Sequence, residues 1–243
     1  MLQISVDNKS HIYAVPGAMV SMSPFIEMET SLMHADKKKH GLFISLLKMF
    51  KRRISGNKFS LVSYKSTAFG EGEQNLLLAP DYPGEINYFD VDESSSLYCR
   101  KGSYLCNQGS IDISFQIVKY FMLGLFSKLG LVLQHLTGEG RVYFAGNGSI
   151  HKTTITDELI VDTKNLVAFS SSLNYEIFVP ATKNQFLGGD GFFLIKLTGN
   201  GTAWIQTYDH EQLNEESMSA FKNEMRAELL LIRKIMKKNK LKK

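Results

Sequence analysis

The sequence predicts an all-β protein built from three copies of one strand unit and followed by a helical extension. Three observations predict it: an apolar pattern punctuated by glycines that recurs along the chain, a turn pattern that recurs in the same order, and a basic amphipathic stretch after both. Internal repetition at a spacing of tens of residues is a statement about architecture before any single motif is weighed.

The glycine pattern is clearest in GLVLQHLTGEGRVYF (130–144) and GFFLIKLTGNGTAWI (191–205), which agree at six of fifteen positions at an offset of 61. The shared residues are the glycines 130/191, 138/199 and 140/201, the leucines 133/194 and 136/197, and Thr137 with Thr198. A weaker copy carries Gly70 and Gly72, which precede Gly138 and Gly140 by 68. Each is a run of Val, Leu, Ile and aromatics that stops at glycines and resumes, which predicts a β-hairpin. The glycines supply positions where φ is positive at no Cβ cost.

The turn pattern aligns YAVPGAMVSMS (13–23), YCRKGSYLCNQ (98–108) and IVDTKNLVAFS (160–170) on Gly17, Gly102 and Lys164, at offsets of 85 and 62. Each has a polar turn followed by two apolar residues, Met19-Val20, Tyr104-Leu105 and Leu166-Val167. Pro16-Gly17 has the chemistry of a type II turn. Lys164 stands where the other two copies have glycine, so the third turn is expected to use Asn165 as its positive-φ residue. Residues 1–210 then read as a single β domain with copies at about 1–80, 81–146 and 147–210, and residues 24–58 hold extra material in the first.

Two stretches read as helix. Leu42, Phe43, Leu46, Leu47, Phe50 and Ile54 recur at helical spacing, as do Met218, Phe221, Met225, Leu229, Ile232 and Met236 within the extension 211–243. Packing of each apolar stripe on the sheet is the ordinary reading; Asn214 or Ser217 is placed to cap the second.

Composition bounds the rest. At 243 residues with 44% hydrophobic side chains the chain buries a sizeable core. The net charge of +4 is misleading, because residues 233–243 carry seven positive charges and no negative ones, leaving the remainder at −3 (4 − 7). A basic isoelectric point therefore does not identify a nucleic-acid-binding body. The tail itself, with Lys237, Lys238, Lys240, Lys242 and Lys243 following an amphipathic helix, suits an anionic partner such as RNA or a membrane surface. Lysines ending a helix also complement its dipole with no partner at all.

Cys99 and Cys106 are too few for a disulfide scaffold and lack zinc spacing. With Lys101-Gly102 as a two-residue turn, Cys99 lies opposite Tyr104; a turn one residue further on would set the cysteines face to face. Free thiols in a reducing cytoplasm are the expectation. The opening MLQISVDNKSH has no signal or presequence pattern, and the apolar run Tyr120–Leu133 is interrupted by Ser127 and Lys128, so no transmembrane segment is expected.

Seven ordered segments carry a family resemblance: PGAMVSMSP, GLFISLLKMFKRRISGNKF, APDYPGEI, GSYLC, LTGEGRVYFAGNG, VDTKNLVAF and LTGNGTAWIQT. Together they resemble the altered-inheritance-of-mitochondria family over roughly residues 10–208. The resemblance implies a fold like that of the tryptophan RNA-binding attenuation protein (TRAP-like), a barrel or double-stranded β-helix with threefold internal repetition. It also implies a group without an established enzymatic activity. Eukaryotic relatives are mitochondrial, an address the lack of a presequence keeps from being carried over. The basic extension lies outside the matched stretch.

No catalytic set assembles. His11, His34, His40, His135, His151 and His210 are scattered and form no H-x-H or H-E-x-x-H pair. Gly146-Asn147-Gly148-Ser149 and Gly188-Gly189-Asp190-Gly191 lack the context of a phosphate loop and read as β-turns. Carboxylates gather at Asp90, Asp92 and Glu93, and at Asp157 and Glu158; such pairs hold a proton or a hard cation when they converge, and are otherwise solvated loop acids. The sequence thus points to a non-enzymatic binding or assembly protein with no cofactor, in which open sheet edges call for a homo-oligomer. RNA binding is the alternative, and a barrel with an enzymatic or ligand pocket between repeats is the second alternative.

Overall fold

Sixteen strands form the described part of the chain, residues 1–7, 11–32, 60–67, 74–118, 131–178 and 193–208 of a computed structural model. All lie in the unit Met1–Thr207 apart from Tyr208. Among the described residues there is no helix. Both predicted helices, Gly70, Gly72 and the glycine-rich run at 188–191 lie outside them.

Six strands come from residues 2–78: β1 (Leu2–Val6), β2 (His11–Ala14), β3 (Met19–Met22), β4 (Ile26–Leu32), β5 (Ser60–Ser66) and β6 (Gln74–Leu78). They pair as β1-β6-β3 and β2-β5-β4. Six more come from residues 150–206: β11 (Ile150–Ile155), β12 (Glu158–Asp162), β13 (Leu166–Ser170), β14 (Asn174–Phe178), β15 (Leu194–Thr198) and β16 (Gly201–Gln206). They pair as β11-β16-β13 and β12-β15-β14. Between them lie β7 (Ile86–Val91), β8 (Leu97–Arg100), and the long β9 (Tyr104–Val118) and β10 (Leu131–Ala145). β10 keeps β9 on one side along its length; on the other it takes β8 over Leu133–Leu136 and β7 over Gly140–Ala145.

Two junctions fuse these segments into a ten-stranded sheet, β2 with β9 and β8 with β13. The three-stranded sheets β1-β6-β3 and β12-β15-β14 stand apart from it. Alternating burial along β8 and β15 is the mark of strands with one face on the core, whereas β13, flanked by β8 and β16, is buried at all five positions. Three apolar clusters result. The first is centred on Ile12, Tyr64, Leu76 and Leu78, the second on Leu97, Leu136, Phe144 and Trp204, and the third on Leu133, Phe169, Ile195 and Leu197. Each fully buried Leu, Ile or Phe contributes about 1.5–3 kcal/mol over the exposed side chain.

Two of the predicted hairpins do not form. β15 and β16 flank Gly199-Asn200 but do not pair with each other; they enter different sheets. β10 does not reverse at Gly138-Glu139-Gly140 either, and runs on with Gly138 opposite Ile111 and Gly140 opposite Gly109. The glycines serve close approach instead of reversal. A Cβ on Gly138 would sit 2.1 Å from the Ser110 carbonyl oxygen, with φ at +120°.

The turn pattern likewise carries the chain from one sheet to another. Val15–Ala18 closes with Ala18 N–H donating to Val15 O at 3.3 Å, and Arg100–Ser103 closes at 3.0 Å. Gly17 and Gly102 hold φ at +92° and +94°, the third position of a type II turn. The third copy departs from expectation, because no residue other than glycine has positive φ among the described residues. Asn165 N–H donates to Asp162 O at 2.9 Å, and the Asp162 carboxylate accepts from Lys164 N–H at 2.9 Å. A type I turn opened by Asp has no need of a left-handed residue, which is why lysine is tolerated there.

Since β8 and β9 are not paired with each other, the expected facing of Cys99 and Tyr104 does not arise. Cys99 lies opposite Gln134 and Ala168, and Cys106 opposite Tyr143 and Ala14. Both thiols are free and buried, and burial pushes their pKa values far above the usual thiol range.

Candidate functional site

The turn pattern gives strands whose surroundings can be compared directly. On its alignment Val20, Leu105 and Val167 are equivalent, and each sits at a break in register: between Met19 and Ser21, opposite Phe144 and Tyr143, and between Leu166 and Ala168. A bulge places one extra residue against the partner strand and re-aims its side chain. Leu105 and Val167 are 2% and 0% exposed, because β2 and β8 cover the outer edges of β9 and β13. Val20 is 51% exposed, and Met22 follows at 37%. β3 pairs with β6 and with no other strand among the described residues.

β12 presents the complementary edge. Its counterparts β2 and β8 each hold a strand on both sides, whereas β12 pairs only with β15 among the described residues. Ile160, aligned with the half-buried Tyr13 and Tyr98, is 48% exposed. These two edges are uncharged at their centres, Met19-Val20-Ser21-Met22 and Leu159-Ile160-Val161, and such edges invite strand addition.

The polar candidates resolve into local structure. Asp90 takes Arg141 through both carboxylate oxygens, at 2.6 and 2.9 Å, and Arg141 lies over Tyr88 at 4.2 Å. Hydrogen bonding to Arg141 lowers the Asp90 pKa, and hydrogen bonds from Ser94 and Ser95 lower that of Asp92. The open groove beside them is lined by Gln108, Gly109, Ser110 and Glu139. Glu158 reaches Lys196 at 3.6 Å on the other carboxylate pair. Among the described residues no three His, Cys, Asp or Glu side chains converge as metal ligands.

Gly146–Ser149, expected as a β-turn, is a bend held by its neighbours. Gly146 and Gly148 N–H donate to Glu85 O and Pro83 O, and Asn147 N–H to Gln206 Oε1. The Gln206 amide donates in turn to Lys164 O at 3.0 Å, tying this bend to the Asp162–Asn165 turn.

His135 is half-buried, stacked on Tyr98 at 4.2 Å and 11°, with Nε2 2.9 Å from Ser96 Oγ. Burial lowers its pKa below 6.5, because the charged imidazolium is poorly solvated there. A depressed histidine stabilises the fold fully above the unfolded-state value, and that contribution is lost as pH falls towards the folded-state value. From about pH 7 to about pH 5 the wild-type protein is therefore expected to lose more stability than His135→Gln. Thermal midpoints over that range test it; parallel curves refute it.

Lys237, Lys238, Lys240, Lys242 and Lys243 lie outside the described residues, as do His34, His40 and His210. The sequence did not single out the β3 and β12 edges. It aligned Val20 with Leu105 and Val167, but alignment alone does not say which copy lacks a neighbour. No helix among the described residues is long and apolar enough to cross a membrane.

A family model described as "Mitochondrial biogenesis AIM24" matches residues 1–208. The chain is similar to the uncharacterized protein M6_Spy0233 of Streptococcus pyogenes serotype M6, at 24% identity over 87% of this chain and 83% of that protein. Its fold is similar to the crystal structure of protein SPYM3_0169 from Streptococcus pyogenes. The TM-score is 0.65 at 22% identity, over 90% of this chain and 93% of that one.

Proposed function

This chain belongs to the mitochondrial biogenesis AIM24 family, and from that premise we propose that it is a non-enzymatic assembly module made of three copies of a TRAP-like β unit. The observation that carries the reading is one partner scheme met three times. The first strand pairs with the sixth and the sixth with the third; the second pairs with the fifth and the fifth with the fourth. In the middle segment, β9 merges the third and fourth strands and β10 the fifth and sixth. The bulge at Val20, Leu105 and Val167 supports it independently.

Copies joined through second and third strands leave one of each unsatisfied among the described residues, so the unit's own chemistry favours a homo-oligomer. Light scattering across a wide concentration range tests this. The expected mass is a multiple of 27.4 kDa, and a monomer at every concentration overturns it.

A second mode rests on the charge asymmetry: the lysines from Lys237 to Lys243 would bind a polyanion such as RNA, with affinity falling steeply in salt. Deleting 233–243 would then abolish that binding and leave the number of chains per assembly unchanged. Salt-independent binding, or binding that survives the deletion, refutes it.

A further inference from the structure

We infer that β12 of one copy adds to β3 of a second copy as an antiparallel pair, with Leu159 opposite Ser23, Ile160 opposite Met22 and Val161 opposite Ser21. This rests on the assembly reading and specifies its interface.

The register comes from the two junctions inside the chain. At the first, Ile12, Tyr13 and Ala14 face Gln108, Asn107 and Cys106. At the second, Leu97, Tyr98 and Cys99 face Ser170, Phe169 and Ala168. The turn alignment carries the first set onto the second with no shift: Ile12 onto Leu97, Tyr13 onto Tyr98, Asn107 onto Phe169. Two junctions separated in sequence therefore share one register. Carrying the same alignment forward from β8 to β12, and back from β13 to β3, yields the pairs named above.

The sheets themselves point the same way. At each internal junction, the three strands ending in a second strand join the three strands ending in a third strand. What remains unjoined among the described residues is one group of each kind, β14-β15-β12 and β1-β6-β3. They match the two halves that meet at each internal junction of the ten-stranded sheet.

Burial and charge agree. The strands equivalent to β3 have Leu105, Cys106, Val167, Ala168 and Phe169 at 2% exposure or less, while Val20 and Met22 lie open. The other edge strands, β1 excepted, carry a charge that discourages pairing: Glu27 and Glu29 on β4, Asp90 on β7, Lys152 on β11, Glu176 on β14. On β3 there is none, and on β12 the charges stand only at the ends. The partner is a second copy because this chain itself supplies both the register and the matching edge. Donor and acceptor edges differ, so the contact is head-to-tail and the assembly stops growing only where rotation closes a ring.

The test mixes two single variants of the full chain, Met22→Cys and Ile160→Cys, under mild oxidation, followed by a non-reducing gel. Directly opposed residues in an antiparallel pair have Cα atoms about 4.5–5.5 Å apart, within disulfide range. Cys99 and Cys106 are buried and stay out of the exchange. A covalent dimer in the mixture, absent from either variant alone, is the expected result. Glu158→Cys mixed with Met22→Cys sets the residues two positions out of register and should cross-link at least about tenfold less. Equal cross-linking in both mixtures overturns the register. No cross-link in an assembly that light scattering shows intact overturns the junction while leaving the assembly reading in place; a monomer at all concentrations ends both. Met22→Lys, at an already exposed site, should weaken association by at least about tenfold without unfolding the chain. Unchanged association would overturn the proposal.

Discussion

Replacing Trp204 with alanine is expected to destabilise the β body by about 3–5 kcal/mol, read as a lower urea midpoint at constant slope. The indole is 2% exposed on β16, edge-on to Phe89 at 5.9 Å and to Phe144 at 5.2 Å, with the Lys152 ammonium 5.7 Å from its ring. Truncation removes the transfer energy of a large aromatic, leaves a cavity against Phe144, and forfeits two edge-to-face contacts of about 0.5–1.5 kcal/mol each. One term opposes: the indole N–H has no hydrogen-bond partner among the described residues, and a buried unpaired donor costs about 1–3 kcal/mol. Trp204→Phe keeps a ring in place and removes that donor, so it should cost under about 2 kcal/mol. A Phe variant as unstable as the Ala variant would show that indole size, not ring contact, holds this region together.

The second large effect belongs to Gly138→Ala. The added methyl would lie 2.1 Å from the Ser110 carbonyl oxygen, and the residue would have to hold φ at +120°, a region L side chains rarely enter. Backbone strain of this kind costs about 1–3 kcal/mol, and the β9 backbone must also retreat. The total is expected to exceed about 3 kcal/mol, because the clash is with main chain and not with a side chain that can rotate away. Amide hydrogen exchange locates the damage: protection should fall first along β9 and β10, the strands paired at this point. Wild-type stability would mean that the backbone relaxes around the methyl.

How much of this was readable from sequence differs by level. Pro16-Gly17 as a type II corner was legible, because Pro and Gly each fix a dihedral independently of what lies far away. The copied leucines and aromatics, Leu133, Leu136, Leu197 and Trp204, were legible as core, and all are buried. Pairing was not. The run through Gly138-Glu139-Gly140 looks like a hairpin because periodicity reports which face is apolar and says nothing of which strand supplies the hydrogen bonds. The left-handed conformation expected of Asn165 fails for a different reason. Asp162 was visible three positions earlier, and its carboxylate makes a type I turn that needs no left-handed residue. The candidate edges were the least legible, since Val20 and Val167 are the same residue type at the same place in their turns; only β8 beside one, and no such strand beside the other among the described residues, separates them.

The long strands β9 and β10 bear on how the molecule comes apart. Chains assembled from similar blocks often melt piecemeal, each block failing at its own temperature. Here β9 and β10 serve the segments on both sides: β9 walls β2, and β10 anchors β8, which walls β13. Loosening the centre strips an edge from each flank at once, so calorimetry should record one sharp transition in place of a staircase.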